Sequence, residues 1–263
     1  MSHARFCQGA WAIFKRDIWA AWSTPSAYVV VAGVFFLAAF FFFAFLDRFN
    51  LNLQQLSAVS GGNLEGLSLN SLVLEGYFQM LLSILVFFVP LLTMRSIADE
   101  RRLGTFDLLL SAPVTEGGII FGKFLAVAAE TSIALSLCWV LPWILACVGE
   151  VELGPIWGGM LGTLLCSLAF VSVGLAASAW SRTPFMAAGV GIALLLLLSL
   201  CDAPFQNGDL RVAQFFQYLT PVGHAREMIS GVVSLKALVY FATLTIFGVV
   251  AALEAIRSRG GNN

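Results

Sequence analysis

Long runs of uncharged, apolar residues constrain this chain more than any other feature of its sequence. Of the 263 residues, 59% are hydrophobic and 11% are charged, whereas about 25% of the residues in an ordinary soluble domain are charged. A helix needs about 20 apolar residues to cross a hydrocarbon core, and in lipid the backbone must satisfy its hydrogen bonds within regular structure. The sequence therefore predicts an all-α, polytopic membrane protein.

We predict six transmembrane helices in a single domain that covers residues 26–263. The expected spans are residues 26–46, 77–94, 124–148, 157–180, 183–201 and 237–253. Pro90 and Pro142 fall inside the second and third spans. They predict local kinks rather than breaks, because neighbouring helices can bind the carbonyls that a proline leaves free.

Small residues predict where these helices pack closely. Gly154, Gly158 and Gly162 are spaced by four, from just before the fourth span into its first turns, and such spacing favours close helix contact, either within the bundle or between chains. Six spans form a bundle too small to enclose a large substrate path alone. We therefore expect two such chains, identical or homologous, in one complex.

Residues 1–25 have the pattern of an amphipathic helix that precedes the first span. Trp11, Phe14, Ile18 and Trp22 recur at helical spacing, and tryptophan is typical of the boundary between membrane and water. We interpret this segment as a helix that lies along the cytoplasmic surface of the membrane and then turns into the first span. The alternative is that it extends the first span into the cytoplasm.

The distribution of lysine and arginine predicts the orientation of the chain. With the N-terminus inside, only four of the 14 basic residues lie outside, namely Arg48, Arg211, Arg226 and Lys236, and cytoplasmic loops are the ones enriched in positive charge. We therefore predict a multi-pass protein of the cytoplasmic (inner) membrane, in contact with membrane lipid, with both termini in the cytoplasm. The net charge of −1 gives no reason to expect nucleic-acid binding.

Residues 95–124 form a charged segment between two apolar runs, and its spacing predicts a short amphipathic helix over residues 98–112. One face carries Leu103, Phe106 and Leu110, and the remaining surface carries Asp99, Glu100, Arg101, Arg102 and Asp107. Pro113 ends this helix, because proline disfavours helical geometry in the residue before it. The alternative is a solvated loop that only separates two spans.

We expect no catalytic, metal or cofactor site in this chain. The motif G-x-x-x-x-G-K occurs at residues 117–123, but Phe124 follows where magnesium coordination needs Ser or Thr, and no strand precedes it. Lys123 is instead interpreted as an anchor whose ammonium reaches the lipid headgroups. Two histidines, and five cysteines without a C-x-x-C pair, do not favour a metal site. The spans also lack the serine–histidine, H-E-x-x-H or paired-aspartate patterns of an intramembrane enzyme.

The charged segment carries the most specific resemblance in the chain. The stretch ADERRLGTFDLLLSAPV from Ala98 to Val114, followed by Gly122-Lys123-Phe124, resembles the signature of type-2 ATP-binding-cassette (ABC) permeases. It is most similar to the branch that contains the gliding-motility permease and the nitrous-oxide-reductase maturation permease. The motif FQYLTPVGH at residues 216–224 and the pattern of spans extend this resemblance over most of the chain.

The resemblance implies a permease subunit that is driven by a separate ABC ATPase, in the direction of export. The helix over residues 98–112 would be the coupling helix, seated in a groove of that ATPase. Glu100, Arg101 and Arg102 would make charged contacts there, and Phe106 and Leu110 would pack. ATP and magnesium would bind the partner, and a dimer of permease chains would form the translocation pathway.

On the outer side, the resemblance implies short re-entrant helices over residues 203–235 before the last span. His224 and Arg226 would then lie near the external mouth of the pathway, or would simply cap or hold a helix end. The mostly polar segment 47–75 is interpreted as an external loop that could contact an extracytoplasmic accessory protein.

Glu130 is the charged residue that lies deepest in a predicted span. It follows Lys123 by seven residues and so lies about 10 Å deeper along the helix. A carboxylate at that depth costs about 2.5 to 3.5 kcal/mol unless it faces a cavity, finds a partner or is protonated. We regard it as a candidate pathway residue, the alternative being a protonated acid hydrogen-bonded between helices near Thr131 or Ser132. The competing function is a secondary transporter or channel without an ATPase partner, which would need a polar, ion-coordinating centre.

Overall fold

The computed structural model of the protein describes residues 2–59, 73–105, 114–148, 152–201 and 218–260. These residues form helices joined by short connections, and no strand occurs among them. The helices are α1 (Ser2–Ser23), α2 (Pro25–Val59), α3 (Glu75–Thr93), a π-helical turn (Arg95–Asp99), α4 (Glu100–Arg102), α5 (Glu116–Val148), α6 (Leu153–Trp180), α7 (Pro184–Leu200), α8 (Pro221–Ile229) and α9 (Leu235–Gly260). The prediction of an all-α fold is confirmed.

Within these described ranges, five helices are long and apolar enough to cross a membrane: α2, α3 with its extension to Arg102, α5, α6 and α9. They match the first four predicted spans and the last one, so the chain is a multi-pass membrane protein. Helix α7 occupies the place of the fifth predicted span but has 17 residues, so a sixth span stays a prediction. Pro90 and Pro142 lie inside α3 and α5 and end neither helix.

Helix α2 extends well beyond the predicted end of the first span at Leu46. It continues to Val59, because residues 47–59 contain no glycine or proline that would stop a helix. The first part of the segment that the sequence predicts as an external loop is therefore helical. Residues 60–72 of that loop lie outside the described residues.

Helix α6 lies at the centre of the bundle. Of its most apolar stretch, 72% of the residues are buried, against 22% for α2, and it packs against α3, α5, α7, α8 and α9. Glycines make these contacts close: a Cβ on Gly158 would collide with the carbonyl of Met228 in α8, and one on Gly174 would collide with Thr93 in α3. The predicted glycine stripe thus packs within the chain at Gly158 and Gly162, whereas a Cβ on Gly154 would have nothing within 4 Å.

Helix α1 forms where the sequence predicts an amphipathic helix, and it packs along the first turns of α5. Ala10 and Ile13 are buried there, and the carbonyl of Ala10 lies so close to Gly122 that a Cβ on this glycine would collide with it. The connection at Thr24 separates α1 from α2. Because α1 lies on α5, it is not a straight extension of the first span.

Candidate functional site

The candidate functional site lies at the end of α3. A side chain of α6, Ser178, binds the backbone there. The helix does not stop at Thr93 but passes through the π-helical turn, in which the hydrogen-bond spacing changes from four residues to five. The Oγ of Ser178 accepts hydrogen bonds from the N–H groups of Ile97, at 3.3 Å, and Ala98, at 3.1 Å. The same hydroxyl donates to the carbonyl of Met94 at 3.5 Å. Ser178 thereby stabilises the turn and joins it to α6.

Arg101 makes a second connection between this segment and α6. Its guanidinium donates a hydrogen bond to the carbonyl of Ala179, in the last turn of the helix. A cation is favourable at that position because the carbonyls at a helix C-terminus are unpaired and carry partial negative charge. The resemblance assigns Arg101 to contacts with an ATPase, whereas the structure places one of its nitrogens on the chain's own α6.

A cluster of four charged residues, which we call the charge cluster, joins α1, α4 and α5. Its members are Arg16, Asp17, Glu100 and Lys123. The Lys123 ammonium lies 2.8 Å from the Glu100 carboxylate and 3.2 Å from the Asp17 carboxylate, and it donates to the carbonyl of Ser96 at 2.7 Å. Arg16 contacts Glu100 at 2.6 Å and Asp17 at 2.7 Å. Each carboxylate of the cluster therefore faces two cations.

The burial of Lys123 corrects the expectation that it reaches the lipid headgroups. Its side chain is 1% exposed, and a buried ammonium is tolerated only when it is paired and hydrogen-bonded. Arg16 is the open side of the cluster, with 48% of its side chain exposed. Burial lowers the pKa of the Arg16 guanidinium, but the charges of Asp17 and Glu100 raise it, and the net shift is upward. Arg16 therefore stays charged at physiological pH.

Beyond the charge cluster, the helical segment ends in a turn built on Gly104. The N–H of Thr105 donates to the carbonyl of Glu100 at 3.0 Å, and the N–H of Gly104 donates to that of Arg101 at 3.1 Å, which is the pattern of a Schellman motif. Gly104 has a φ of 72°, which favours glycine. The predicted helix over residues 98–112 is thus helical to Arg102 and then turns, and residues 106–113, with Phe106, Asp107 and Leu110, lie outside the described residues.

Two side chains of this segment point away from the bundle. Arg102 is 63% exposed on its side chain and contacts Asp99 at 3.5 Å, and Leu103 is 65% exposed. An exposed leucine beside an exposed arginine at the end of a held segment is suited to contact with another protein, because such surfaces combine an apolar core with charged edges.

A cavity of about 600 Å³ lies beside the charge cluster, between α1, the start of α2, the end of α3 and α5. Glu130 lines it and is 8% exposed, and Arg95 lines the same cavity. The hydroxyls of Thr131 and Ser132 donate to the carbonyls of Val127 and Ala128 in their own helix. Glu130 therefore lies beside a cavity, while Thr131 and Ser132 form their hydrogen bonds within α5.

His224 and Arg226 lie on α8, far from this site, and the structure does not bring them together with Glu130. His224 is buried, its Nε2 lies 3.0 Å from the carbonyl of Tyr218, and its ring lies 4.4 Å from that of Tyr240. The contact with Tyr240 packs α8 against α9, and the contact with Tyr218 joins His224 to the residues just before α8. Arg226 is exposed.

Sequence reasoning missed Arg16, Asp17 and Ser178 as members of the site. The available signal was weak, because the acids and bases of the charge cluster are far apart in the chain: Glu100 follows Arg16 by 84 positions, and Lys123 follows Asp17 by 106. A lysine two turns inside an otherwise apolar helix could have prompted a search for an acidic partner, because its burial requires one.

The fold and this site define a multi-pass, all-helical membrane protein with a held, partly exposed segment at the end of its second span. Comparison with known families gives the class. A family model described as ABC-2 family transporter protein matches residues 11–256. The chain belongs to this family and is a transmembrane permease component of an ABC transporter, a kind of subunit that generally pairs with an ABC ATPase. No curated protein matches the chain.

Proposed function

We propose that this chain, as a dimer with itself or with a homologous permease, forms the translocation pathway of an ABC exporter. A separate ATPase subunit drives it by docking on the segment from residue 98 to residue 112. ATP and magnesium bind that ATPase, and both termini of the permease face it in the cytoplasm. The resemblance to the gliding-motility and nitrous-oxide-reductase maturation permeases supports the direction of transport.

The observation that carries this proposal is the way the end of α3 is held. Ser178 and Arg101 join it to α6, and the charge cluster joins it to α1 and α5. Arg102 and Leu103 nevertheless remain exposed. The segment thus presents an exposed surface to a partner and is itself bound to α1, α5 and α6. Movement of a bound partner would therefore be transmitted to these helices.

Binding of nucleotide by the ATPase and the conformational equilibrium of the permease dimer are thermodynamically coupled. If the nucleotide-bound ATPases bind the docking segment more tightly in one conformation of the permease dimer, nucleotide shifts the equilibrium toward that conformation.

Glu130 is then a candidate to contact the transported molecule, because it lines a cavity beside the moving segment. The contacts of His224 favour a structural role for this residue over a place at the external mouth.

Substitution of the two exposed residues, Arg102 and Leu103, by glutamate tests this proposal, because it reverses a charge and replaces an apolar side chain by a charged one. We expect Arg102→Glu combined with Leu103→Glu to abolish copurification of an ABC ATPase with the permease, and to abolish ATP-dependent transport with it. Arg102 is a better target than Arg101, whose substitution would also remove a contact within the fold. Arg226→Glu, the same arginine-to-glutamate change at an exposed position of α8, serves as the control and should leave the ATPase bound.

Two results would contradict the proposal. One is an ATPase that remains bound to the doubly substituted chain at the level of the control. The other is transport at full rate by the purified chain without any ATPase, which would favour a secondary transporter or channel.

A further inference from the structure

The cavity beside the charge cluster changes in character along its depth, which can be followed on α5. Lys123, Ala126, Val127 and Glu130 all line it, because residues three, four and seven positions apart lie on one side of a helix. Glu130 lies about 10 Å deeper than Lys123 at 1.5 Å per residue. Among the described residues that line it, the cavity of about 600 Å³ thus has a charged mouth at the level of Lys123 and one carboxylate at its inner end.

The charged residues at the mouth already have partners within the chain. Lys123 belongs to the charge cluster, and Arg102 contacts Asp99. Arg95 begins at the same level, because the carbonyl of the next residue, Ser96, binds Lys123, and it also interacts with another group of the chain. A ligand of either charge therefore meets balanced charges at the mouth.

Glu130 differs from these residues in having no partner for its carboxylate. No hydrogen bond or ion pair joins it to the described part of the chain, although only 8% of the residue is exposed. The neighbouring hydroxyls of Thr131 and Ser132 donate to carbonyls of α5. A carboxylate at this depth is costly unless it meets a cation or binds a proton. A cation that reaches the inner end of the cavity would remove this cost.

Between its mouth and Glu130, the cavity is apolar. Val30 of α2, Leu92 of α3 and Val127 of α5 line this part. Leu91 lines it as well and is 42% exposed, so the cavity opens at the side of the bundle near this residue in addition to its mouth. A ligand with an apolar body can therefore enter from the surrounding membrane.

We propose that the cavity binds a lipophilic cation, an amine whose ammonium pairs with Glu130 and whose apolar body lies along Val30, Leu92 and Val127. A simple inorganic cation would leave the apolar part unfilled, and a neutral or anionic amphiphile would leave the carboxylate unmatched. As an assignment of the cargo, this inference rests on the proposed function, in which Glu130 contacts the transported molecule. Binding is measured on the permease alone, so it can fail while an ATPase still copurifies with the chain.

Equilibrium dialysis of the purified full-length chain in detergent tests the proposal. The ligand is naphthylethylamine, which joins an apolar ring system to an amine that is charged at neutral pH, as a lysine side chain is. We expect saturable binding of one amine per chain. Naphthylethanol has a hydroxyl in place of the ammonium, and ethylamine has the ammonium without the rings. Neither should compete at equal concentration.

Substitution of Glu130 tests the pairing of charges. Glu130→Gln should weaken the binding of naphthylethylamine about tenfold, because a charge-assisted contact is lost. Glu116→Gln makes the same change at the start of α5, on a residue that does not line the cavity, and should bind as the unsubstituted chain does. Unchanged affinity in Glu130→Gln, or equal competition by naphthylethanol, would overturn the assignment of a cation.

A second pair of variants tests the position of the apolar body and keeps the test decisive if Glu130→Gln does not fold. Val30 lines the cavity and is partly buried, so Val30→Trp should fill the apolar part and exclude the amine. Val29, the residue before it, is 70% exposed and does not line the cavity, so Val29→Trp is the matched control and should bind fully. Full binding by Val30→Trp, or equal competition by ethylamine, would overturn the proposal.

Discussion

At the scale of single residues, the burial of Lys123 depends on the two carboxylates that lie within 3.2 Å of it. Taking an ion out of water costs several kcal/mol, and a close counter-ion together with hydrogen bonds offsets this cost. Removing one partner of such a pair leaves the other charges uncompensated. The effect is smaller where the remaining partners keep some access to water, as Asp17 and Glu100 do with 19% and 21% of their side chains exposed.

We therefore expect Lys123→Met to destabilise the fold by about 2 kcal/mol, below the 3 to 5 kcal/mol of a fully buried pair. The melting temperature of the purified protein in detergent measures this change. Adding Glu100→Gln and Asp17→Asn to Lys123→Met should recover part of the loss, because the two carboxylates that lost the ammonium are then gone, and Arg16, which loses both partners, is 48% exposed to solvent. Lys236→Met, on an exposed lysine, is the control. Equal melting temperatures for Lys123→Met and Lys236→Met would show that the charge cluster contributes nothing to stability.

At the scale of helices, close packing of α6 on α8 depends on a glycine. The carbonyl of Met228 lies where a side chain at Gly158 would begin, whereas nothing lies within 4 Å of that position at Gly154. We expect Gly158→Ala to displace α8 and to increase amide hydrogen exchange over residues 221–229. Gly154→Ala changes the same residue type one turn away and should leave this exchange unaltered. Similar exchange in both variants would mean that α8 is held by other contacts.

The helices themselves could largely be predicted from the sequence, because apolar runs of sufficient length have few other structures in a membrane. The ends of the helices were less predictable. Asp47 and Arg48 indicate an exit from the membrane, but a helix does not have to stop where its lipid contact stops, and α2 continues to Val59. The π-helical turn at Arg95–Asp99 is stabilised by the hydroxyl of Ser178, about 80 residues further along the chain. The local sequence therefore does not predict this turn.

The candidate site was predictable in its position but not in its contacts. The alternation of charged and apolar residues from Asp99 onward indicates a surface segment, and Arg102 and Leu103 are indeed exposed. The same pattern cannot tell Arg102 from Arg101, although one faces outward and the other binds the carbonyl of Ala179. That distinction depends on where α6 ends relative to α4, which is a property of the packed bundle.

At the scale of the whole molecule, two native cysteines report on the orientation of the chain. Cys7 on α1 and Cys147 near the end of α5 are exposed, and the predicted topology places them on opposite sides of the membrane. In intact cells, a membrane-impermeant maleimide should label a variant that keeps only Cys147, and should label one that keeps only Cys7 after permeabilisation. Cys138, which is buried, is the control that should stay unlabelled in both cases. Labelling of Cys7 in intact cells would reverse the orientation.

Helix α6 is in contact with the rest of the chain at both of its ends. Ser178 and Arg101 join one end to the segment after α3, and Gly158 and Gly162 seat α8 at the other. Its 28 residues form a rod about 42 Å long at 1.5 Å per residue. A regular helix resists shortening, so a small axial displacement at one end of this rod would move α8 at the other end, without passing through any loop.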